Sequence, residues 1–439
     1  MPFPGELHTV LERLERAGYE AWAVGGGVRD TLRGVSPQDW DVTTSARPEQ
    51  VMALFGDDAV PTGLQHGTVT VKQGDRTFEV TTYRTDGAYA DHRHPENVIF
   101  TASLREDLAR RDFTVNAMAM DRRGQVIDPY DGQEDLRRGI LRCVGEPERR
   151  FREDALRIMR CLRFAAQLGF SIDHTTEQAL RAQKEDLRHI AVERICEEMT
   201  KLLCGNHAAR VLLSYPDVFG VFLPEILPCV GLDQRNKHHL YDVWEHTAQS
   251  VAAIAPTPEL RWAMLLHDLG KGQTLTVDEQ GVGHFYGHAK VSAAMAEEIC
   301  TRLRFSGERK EKVTTLVAWH DREIQRTEKA VLRALHTFGE ETFFALCAVK
   351  RADNLAQHPD YRDRLAEIAK AEEIARELLE KQACFSLWDL AVNGKDMLAL
   401  GYRGAAIGAM LNDLLEQVMD GTLPNEKAAL LAAAKKQKK

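Results

Sequence analysis

The hydrophobic pattern of the chain changes near residue 150, and no other feature constrains the fold as strongly. Before this point, apolar and β-branched residues alternate in short segments such as GTVTVKQG and RTFEVTTYR, a pattern that predicts strands. After it, segments such as EDALRIMRCLRFAAQLGF carry apolar residues every three or four positions, which predicts helices. We therefore expect an α+β protein in which a small N-terminal α/β head precedes an all-α remainder.

The composition favours a soluble globular protein with several domains. The chain has 439 residues, of which 44% are hydrophobic and 28% are charged. It contains no long charge-free apolar run and no secretory signal, so no membrane partner is expected. The eight scattered cysteines are typical of reduced thiols, which predicts a cytoplasmic protein. The net charge of −9 argues against a general nucleic-acid binder but allows local basic surfaces.

A glycine-rich turn near the N-terminus is a candidate phosphate site. The stretch VGGGVRDTLRG predicts a strand that runs into glycines and then a short helix. Free backbone N–H groups at such a turn, with the positive end of the helix, suit a polyphosphate. Arg29 lies one turn into the helix and can reach the same anion. Taken alone, such a glycine turn is more often purely structural.

Two aspartates follow this turn. Asp39 and Asp41 lie two residues apart in QDWDVTT, a predicted strand, so their carboxylates project from one face and repel each other. Hard oxygen ligands suit Mg²⁺, and Glu79 on a neighbouring predicted strand offers a third carboxylate. A phosphate-binding turn beside paired acids is the arrangement that two-metal nucleotidyl transfer requires, in which one metal activates a 3′-hydroxyl and the other holds the triphosphate.

Five segments resemble, in family order, the motifs of the bacterial-type tRNA nucleotidyltransferase and poly(A) polymerase family. They are VGGGVRDTLRGVSPQDWDVTT, RRDFTVNAMAMD, DPYDGQEDLRRGILRCVG, EDALRIMRCLRFAAQLGF and ERICEEMTKLL. The resemblance implies a nucleotidyltransferase head that uses Mg²⁺, followed by a helical neck, body and tail. It also implies metal ligands (Asp39, Asp41), triphosphate contacts (Gly26, Arg29) and ribose contacts (Arg111, Asp112).

The segment RRDFTVNAMAMD supports nucleotide binding on chemical grounds as well. An arginine pairs bidentately with phosphate, and a carboxylate accepts a hydrogen bond from a ribose 2′-hydroxyl. Asn116 in the same segment is a further nucleotide-binding candidate. Ordinary capping charges at a helix N-terminus would explain the same residues equally well.

A third set of candidates lies in EDALRIMRCLR. Asp154 and Arg157 are three apart on the predicted helix and so share a face. A carboxylate accepts from the amino group of cytosine or adenine, and a guanidinium donates to the adjacent ring nitrogen. Uracil and guanine present the opposite order, so such a pair admits CTP and ATP and rejects UTP and GTP. The resemblance assigns base recognition to Glu153, Asp154 and Arg157, with Arg160 and Arg163 nearby.

The C-terminal half holds a second constellation. His246, the adjacent pair His267 and Asp268, and then Asp353 occur in the order of the metal-dependent phosphohydrolases named for a His-Asp pair. This resemblance implies a divalent metal, with Mg, Mn, Ni and Co all left open, and a bound water that attacks a phosphate ester. Three more histidines are expected to line the pocket: His284, His288 and His320. Expected substrates are 2′,3′-cyclic phosphates or phosphomonoesters at RNA ends, although the scaffold could also persist without turnover.

The resemblance divides the chain into four parts. These are a nucleotidyltransferase head (1–145), a neck for nucleobase recognition (146–215), a body with the phosphohydrolase site (216–370) and a tRNA-binding tail (371–439). In the tail, GYRGAAIG offers backbone N–H groups and Arg403 to a phosphate, or else is a glycine-terminated helix junction. A tRNA acceptor arm would be recognised by shape and backbone contacts.

The leading hypothesis is template-independent addition of CCA to tRNA 3′ ends from CTP and ATP. Alternatives within the family are a poly(A) polymerase and an enzyme that adds only CC or only A. The segment YADHRHPENVIF lies in a predicted loop (85–106) and favours full CCA addition, because switching from C to A should need a mobile element. Alternatives from other classes are a phosphohydrolase with a nucleotide-binding head and a non-catalytic RNA-binding module.

Overall fold

The computed structural model describes residues 3–86 and 98–437. The chain forms two compact units, Met1–Pro224 and Glu225–Lys439. The predicted α+β class is confirmed, because an N-terminal sheet precedes a mainly helical remainder. In the part of the chain that the structure describes, no helix is long and apolar enough to cross a membrane.

The first unit contains eleven of the strands. They are β1 (Ala21–Val24), β2 (Asp41–Thr44), β3 (Ala59–Gly63), β4 (Thr68–Gln73), β5 (Arg76–Thr82), β6 (Arg84–Asp86), β7 (Val98–Phe100), β8 (Ala119–Met120), β9 (Val126–Ile127), β10 (Ile140–Leu141) and β11 (Ser171–Ile172). Seven of them form one sheet in the order β3-β4-β5-β2-β1-β8-β9. β2 is antiparallel to β1 and parallel to β5, and Asp41 is the Cα partner of Glu79 across the parallel pair.

The N-terminal helices of the first unit pack on this sheet, and the later helices pack mainly on one another. They are α1 (Gly5–Arg16), α2 (Gly26–Leu32), α3 (Pro48–Phe55), α4 (Leu104–Ala109), α5 (Gly132–Arg138), α6 (Pro147–Glu153), α7 (Leu156–Leu168), α8 (His174–Ala182), α9 (Val192–Leu203), α10 (Ala208–Ser214) and α11 (Pro216–Phe219). The apolar face of α1, including Leu7 and Leu14, is buried with the inner side of the sheet.

Trp40 explains the spacing of the two aspartates. Its ring is 4% exposed and belongs to the core of the sheet, whereas Asp39 and Asp41 on either side are exposed. A Cβ atom at Gly27 would lie 2.5 Å from the Trp40 ring, so the indole requires a glycine at this position. The alternation of acid, indole and acid therefore turns one side chain inward and two outward.

The second unit is helical apart from one hairpin. Its helices are α12 (Val243–Ala253), α13 (Pro258–Leu266), α14 (Lys271–Thr274), α15 (His288–Arg302), α16 (Gly307–Trp319), α17 (Glu328–Leu355), α18 (Arg364–Glu380), α19 (Gly394–Ala399), α20 (Ala405–Met419) and α21 (Lys427–Gln437). The hairpin strands are β12 (Thr276–Val277) and β13 (Gly283–His284). Gly339, at φ 73° and ψ 166°, interrupts α17.

Three local predictions are wrong. The strand predicted for QDWDVTT begins at Asp41, so Asp39 precedes it. The predicted loop 85–106 contains parts of β6 and α4 and all of β7, while residues 87–97 lie outside the described residues, with most of YADHRHPENVIF. The helix predicted across EDALRIM is broken at Asp154, whose φ of −143° and ψ of 102° are extended.

Candidate functional sites

Carboxylates from two strands meet at one edge of the large sheet. Asp41 begins β2 and Glu79 lies opposite it on β5. Burial raises the pKa of Asp41. The positive charge of Arg111 lowers this pKa, and the negative charge of Asp39 raises it. The pKa of Glu79 is also raised, first by burial and then by Asp41 and Asp39. The three predicted acids therefore interact electrostatically, and their shared negative charge suits a divalent cation.

Gly25 lies beside the Asp41 carboxylate, and its lack of a side chain leaves the space between Asp41 and Arg111 open. Its φ of 73° favours glycine, and an added Cβ would lie 3.1 Å from Asp41 Oδ2 and 3.3 Å from Arg111 Nη1. Nε of Arg111 is buried without a hydrogen-bond partner among the described residues. The site thus offers oxygen ligands, an open backbone and an unused guanidinium donor, which together fit a metal-bound polyphosphate. Sequence reasoning selected Gly26 and missed Gly25, because three consecutive glycines do not show which one makes the close approach.

Arg29 is held by neighbouring side chains. Its Nε and Nη2 donate to the two carboxylate oxygens of Asp30, both at 2.9 Å, and its Nη1 donates to Asn116 Oδ1 at 2.8 Å. Asn116 Nδ2 in turn donates to Asp112 at 3.1 Å. Arg29, Asn116 and Asp112 therefore form one chain of polar contacts from α2 to the segment after α4.

The Asp112 carboxylate accepts four hydrogen bonds from neighbouring groups. Besides Asn116, it accepts two bonds from Arg160, at 2.9 and 2.6 Å, and one from the backbone N–H of Phe113. Although burial raises its pKa, Arg160 and the other donors hold the pKa of Asp112 well below its usual range. A ribose hydroxyl at this carboxylate would share it with Arg160.

One cavity of about 380 Å³ gathers most of the predicted residues of the first unit. The predicted residues that line it are Asp41, Glu79, Arg111, Asp112, Asp154, Arg157 and Arg160. The other predicted residues of this unit are not among its lining: Asp39, Gly26, Arg29, Asn116, Glu153 and Arg163. The acids of the sheet and the base-recognition candidates therefore face a common space.

The base-recognition pair is arranged differently from the prediction. Arg157 Nη1 donates to Glu153 Oε2 at 2.9 Å, and its Nη2 donates to the carbonyl of Arg110 at 3.0 Å. Asp154 lies in the break between α6 and α7, where its Oδ1 accepts from the N–H of Leu156 at 3.1 Å. An aspartate at such a break satisfies a helix N–H group that has no partner within the helix. Asp154 and Arg157 thus reach the same cavity from separate elements.

Arg194 is a site residue that sequence reasoning missed. It lies on α9 and donates to Asp154 Oδ2 at 3.1 Å, and both residues line the cavity. Its Nη1 is buried and has no hydrogen-bond partner within the described ranges. The quoted motif ERICEEMTKLL contains Arg194, but no local pattern connects it with a residue forty positions earlier. On the same helix, Glu198 forms a 2.6 Å ion pair with Arg163.

The second unit assembles the predicted histidine and aspartate cluster. His246 Nε2 lies 2.9 Å from Asp353 Oδ1 and 3.6 Å from Asp268 Oδ2, and His267 Nε2 lies 3.3 Å from Asp268 Oδ2. His246 and His267 are fully buried, and Asp268 is 2% exposed. Four residues from α12, the end of α13 and α17 therefore converge at one point.

Two more histidines complete a second group around Asp268. Asp268 Oδ1 lies 3.4 Å from His288 Nε2 and 3.6 Å from His320 Nε2. His246, His267 and Asp268 form one possible ligand group, and Asp268, His288 and His320 form another. His284 belongs to neither group, since its Nε2 contacts Asp278 on the hairpin at 2.8 Å.

The hydrogen bonds of the imidazoles fit a metal site. Nδ1 of His267 and of His320 each lies 2.7 Å from a backbone carbonyl, and Nδ1 of His288 lies 2.9 Å from another. A carbonyl only accepts, so Nδ1 of each ring carries a proton, and Nε2 is the nitrogen that faces Asp268. Burial lowers the pKa of His267, yet Asp268 and Asp353 outweigh it and raise the pKa to about 10. A divalent cation would replace that proton.

The tail candidate Arg403 donates hydrogen bonds to the backbone of its own segment. Its Nη1 donates to the carbonyls of Leu398 and Tyr402, at 2.9 and 2.8 Å. These bonds close the end of α19, as a glycine-terminated helix junction requires. Its exposed guanidinium edge is available to a phosphate, so both interpretations of GYRGAAIG persist.

Three family models match the chain. Residues 21–142 match the poly A polymerase head domain, residues 169–229 match the probable RNA and SrmB-binding site of polymerase A, and residues 273–434 match tRNA nucleotidyltransferase domain 2. None of these three models describes a His-Asp phosphohydrolase, so that part of the sequence interpretation stays a prediction.

Related proteins cover nearly the whole chain. The CCA-adding enzyme of Lactobacillus helveticus is 35% identical over 430 residues, which cover 96% of this chain and 94% of that protein. The crystal structure of the Bacillus stearothermophilus CCA-adding enzyme in complex with CTP is 33% identical, with a TM-score of 0.76 and coverage of 100% of this chain and 98% of that chain. The Thermotoga maritima CCA-adding enzyme complexed with tRNA shares the fold, at 18% identity and a TM-score of 0.55. The chain belongs to the family of CCA-adding enzymes, which are tRNA nucleotidyltransferases.

Proposed function

We propose that the first unit adds CCA to tRNA 3′ ends, without a template, from CTP and ATP. One observation carries the proposal: the paired acids Asp41 and Glu79 line the same cavity as the base-recognition residues Asp154 and Arg157. Nucleotidyl transfer needs a metal site beside a means of choosing the base, and both requirements meet here.

In the proposed mechanism, Asp39, Asp41 and Glu79 would hold two Mg²⁺ ions. One ion would activate the tRNA 3′-hydroxyl, and the other would hold the triphosphate and neutralise its charge. The 3′-oxygen then bonds to the α-phosphorus, the bond from that phosphorus to the β-phosphate oxygen breaks, and pyrophosphate leaves. The hydroxyl proton passes to a carboxylate or to water.

The other candidate site residues of the first unit bind and orient the nucleotide. The backbone at Gly25 and Gly26, together with Arg111, contacts the triphosphate. Arg29 holds Asn116 and, through it, Asp112, so we assign it to positioning as well as to phosphate binding. Asp112 contacts the ribose while paired with Arg160.

Base choice is assigned to Asp154 and Arg157. Asp154 accepts from the amino group of cytosine or adenine, and Arg157 donates to the ring nitrogen beside it. Glu153 and Arg194 orient this pair through the contacts at 2.9 and 3.1 Å, and Arg163 with Glu198 supports the same face. Uracil or guanine would leave two buried polar groups mispaired, at a cost of about 1–3 kcal/mol for each group.

The experiment is nucleotide incorporation on three tRNAs that end before CCA, after its first C and after CC. Addition of the missing nucleotides to all three, and then arrest, is the expected result. Tracts of A without any C would identify a poly(A) polymerase, and extension of only one or two of the substrates would identify a CC-adding or A-adding enzyme.

We further propose that the second unit is a metal-dependent phosphohydrolase. The favouring observation is that His246, His267, Asp268 and Asp353 converge with their Nε2 and carboxylate oxygens turned inward. A bound Mg, Mn, Ni or Co ion would supply an activated water there. Water adds to phosphorus, the P–O ester bond breaks, and a proton goes to the leaving oxygen.

The second proposal is tested with p-nitrophenyl phosphate and with 2′,3′-cyclic nucleotides in the presence of each metal. His267→Ala should abolish hydrolysis and leave nucleotide addition unchanged. Hydrolysis that persists in this variant would show that the activity comes from another site or from a contaminant.

The four-part division of the chain remains a proposal. The boundary between the compact units at 224 and 225 lies near the proposed boundary between neck and body at 215 and 216. We propose that the tRNA acceptor arm is held by the tail at 371–439 and by a basic strip that is expected along the neck and tail. A cytoplasmic location is proposed because tRNA is the substrate and eight scattered cysteines are typical of reduced thiols.

A further inference from the structure

We propose that His284 and Tyr286 form a stacking platform for a nucleobase beside the histidine and aspartate cluster of the second unit. The phosphohydrolase would then act on phosphates carried by nucleotides or by RNA ends, and poorly on simple phosphate esters. This inference rests on the phosphohydrolase proposed above, and it adds residues that determine substrate specificity.

The two rings already form the first layer of a stack. Their centroids are 5.3 Å apart and their planes differ by 7°, which is an offset parallel arrangement. Tyr286 is 76% exposed, so the outer face of its phenol ring is open to a third ring. Bases stack on such faces with little preference for sequence, because every base has a π-face.

The platform is held in place by the hairpin. His284 lies on β13, where it pairs with Thr276 of β12. Its Nε2 lies 2.8 Å from Asp278 Oδ2, and the N–H groups of Gln280 and Val282 donate to the other carboxylate oxygen of Asp278, at 3.0 and 2.9 Å. The imidazole is therefore oriented before any ligand binds, which lowers the entropic cost of stacking.

The platform and the cluster share one cavity. It has a volume of about 590 Å³, and its lining includes His284, Tyr286, Asp268, His320 and Asp353. This volume lies within the range of about 300–1,000 Å³ that is usual for small-molecule sites. A nucleotide can therefore place its phosphate at the cluster and its base on the hairpin within a single enclosure.

The charges that line the cavity favour a free nucleotide or the end of an RNA over a continuous RNA strand. Lys271, whose Nζ lies 2.7 Å from Asp268 Oδ2, stands beside the cluster, where a phosphate would bind. Asp321, Asp363 and Glu367 also line the cavity and outnumber its other cation, Arg364, so they would repel a run of backbone phosphates. One phosphate with one base fits this pattern, whether it belongs to a free mononucleotide or to the end of an RNA.

The test compares full-length wild type with Tyr286→Ala, Tyr286→Phe and Trp388→Ala. Trp388 is a matched control, since it is an aromatic residue of the same unit that is 96% exposed and does not line this cavity. The substrates are glycerol 2-phosphate, which has no aromatic ring, adenosine 2′,3′-cyclic phosphate, and a short RNA with a 3′-phosphate. The last two distinguish a free nucleotide from an RNA end.

Loss of the stack should lower kcat/KM for the nucleotide substrates about tenfold in Tyr286→Ala. Hydrolysis of glycerol 2-phosphate should change less than twofold, and Tyr286→Phe and Trp388→Ala should resemble wild type. An equal loss on all three substrates, or no loss on any of them, would overturn the platform.

Binding of adenosine 3′-monophosphate to metal-free protein, measured by calorimetry, provides a readout that does not require turnover. Tyr286→Ala should weaken binding in the second unit about tenfold, and Tyr286→Phe should not. If wild type hydrolyses no substrate, the phosphohydrolase proposal fails. The platform is tested separately, by the difference in binding between wild type and Tyr286→Ala. Equal binding by wild type and Tyr286→Ala would reject the platform.

Discussion

Arg194 on α9 donates a hydrogen bond of 3.1 Å to the Asp154 carboxylate, which lies in the break between α6 and α7. The opposite carboxylate oxygen is held by the N–H of Leu156. The acceptor proposed to select cytosine and adenine is therefore fixed from two sides, and one of them comes from a distant helix. This contact makes Arg194 a positioning residue for base choice.

Arg194→Ala should reduce discrimination between nucleotides more than it reduces the rate of nucleotide addition. Without its partner, the Asp154 carboxylate can rotate, and incorporation of CTP relative to UTP should fall about tenfold, the value of one charge-assisted hydrogen bond. The measurement is kcat/KM for each of the four nucleotides. Arg188→Ala, which removes an exposed i,i+3 ion pair with Glu185, is the matched control. A uniform fall for all four nucleotides would contradict the assignment.

Gly25→Ala should abolish nucleotide addition while leaving the protein folded. The new Cβ would enter the space between Asp41 Oδ2 and Arg111 Nη1. Gly34→Ala is a close control, because Gly34 has the same φ of 73° and nothing lies within 4 Å of its added Cβ. Both variants should lose about 1–3 kcal/mol of unfolding free energy from backbone strain, measured by chemical denaturation. Equal activity of the two variants would show that the space at Gly25 is not part of the site.

The sequence predicted the components of this site better than their geometry. Alternation of apolar residues was sufficient to predict β4 and β5, and with them the face that carries Glu79. The helix break at Asp154 was not predicted, because ALRIMR continues an uninterrupted apolar period while the aspartate side chain caps the next helix. Contacts between residues far apart in the chain, such as Arg194 with Asp154, leave no local pattern.

Stability without divalent cations should depend on the protonation of Asp41. Its folded pKa is raised, so between its ordinary value near 3.9 and the raised value the folded chain binds more protons than the unfolded chain. The stabilisation is complete below the unfolded pKa and is lost as the pH rises through the folded pKa. Unfolding in EDTA across this range should therefore show a smaller pH dependence for Asp41→Asn than for wild type. Identical pH profiles would mean that Asp41 is not protonated preferentially in the folded state.

In the same unfolding experiment, stabilisation by added Mg²⁺ should increase with pH, whereas stabilisation by protonation of Asp41 decreases. The cation competes with protons for Asp41 and Glu79, so its stabilising effect should grow as the pH rises. A stabilisation by Mg²⁺ that does not change with pH would place the cation elsewhere.

His267→Ala should remove divalent metal from the second unit and leave CCA addition unchanged. Its Nε2 is buried against Asp268, and without the imidazole the group loses one of its ligands. Metal content after dialysis, measured by atomic emission, should fall relative to wild type. His336→Ala is the control, because His336 is exposed and its Nδ1 lies 2.8 Å from the Phe385 carbonyl, outside both ligand groups. Equal metal content in both variants would place the metal outside this cluster.

The second cluster illustrates the same limit of local patterns. The order of His246, His267, Asp268 and Asp353 predicted one ligand set, and the structure brings these residues together. The additional group formed by His288 and His320 depends on the ends of two helices that meet at Asp268. Spacing along the chain does not separate these two histidines from His284, which turns to Asp278 instead.

The central claim is that Asp41 belongs to the polymerising site, and one incorporation experiment tests it. Wild type, Asp41→Asn and the exposed control Asp57→Asn are given a tRNA lacking CCA, with CTP, ATP and Mg²⁺, and the products are sequenced. Wild type and Asp57→Asn should append CCA, whereas Asp41→Asn should append nothing while its melting temperature stays close to that of wild type. Addition of CCA by Asp41→Asn at the wild-type rate would contradict the account.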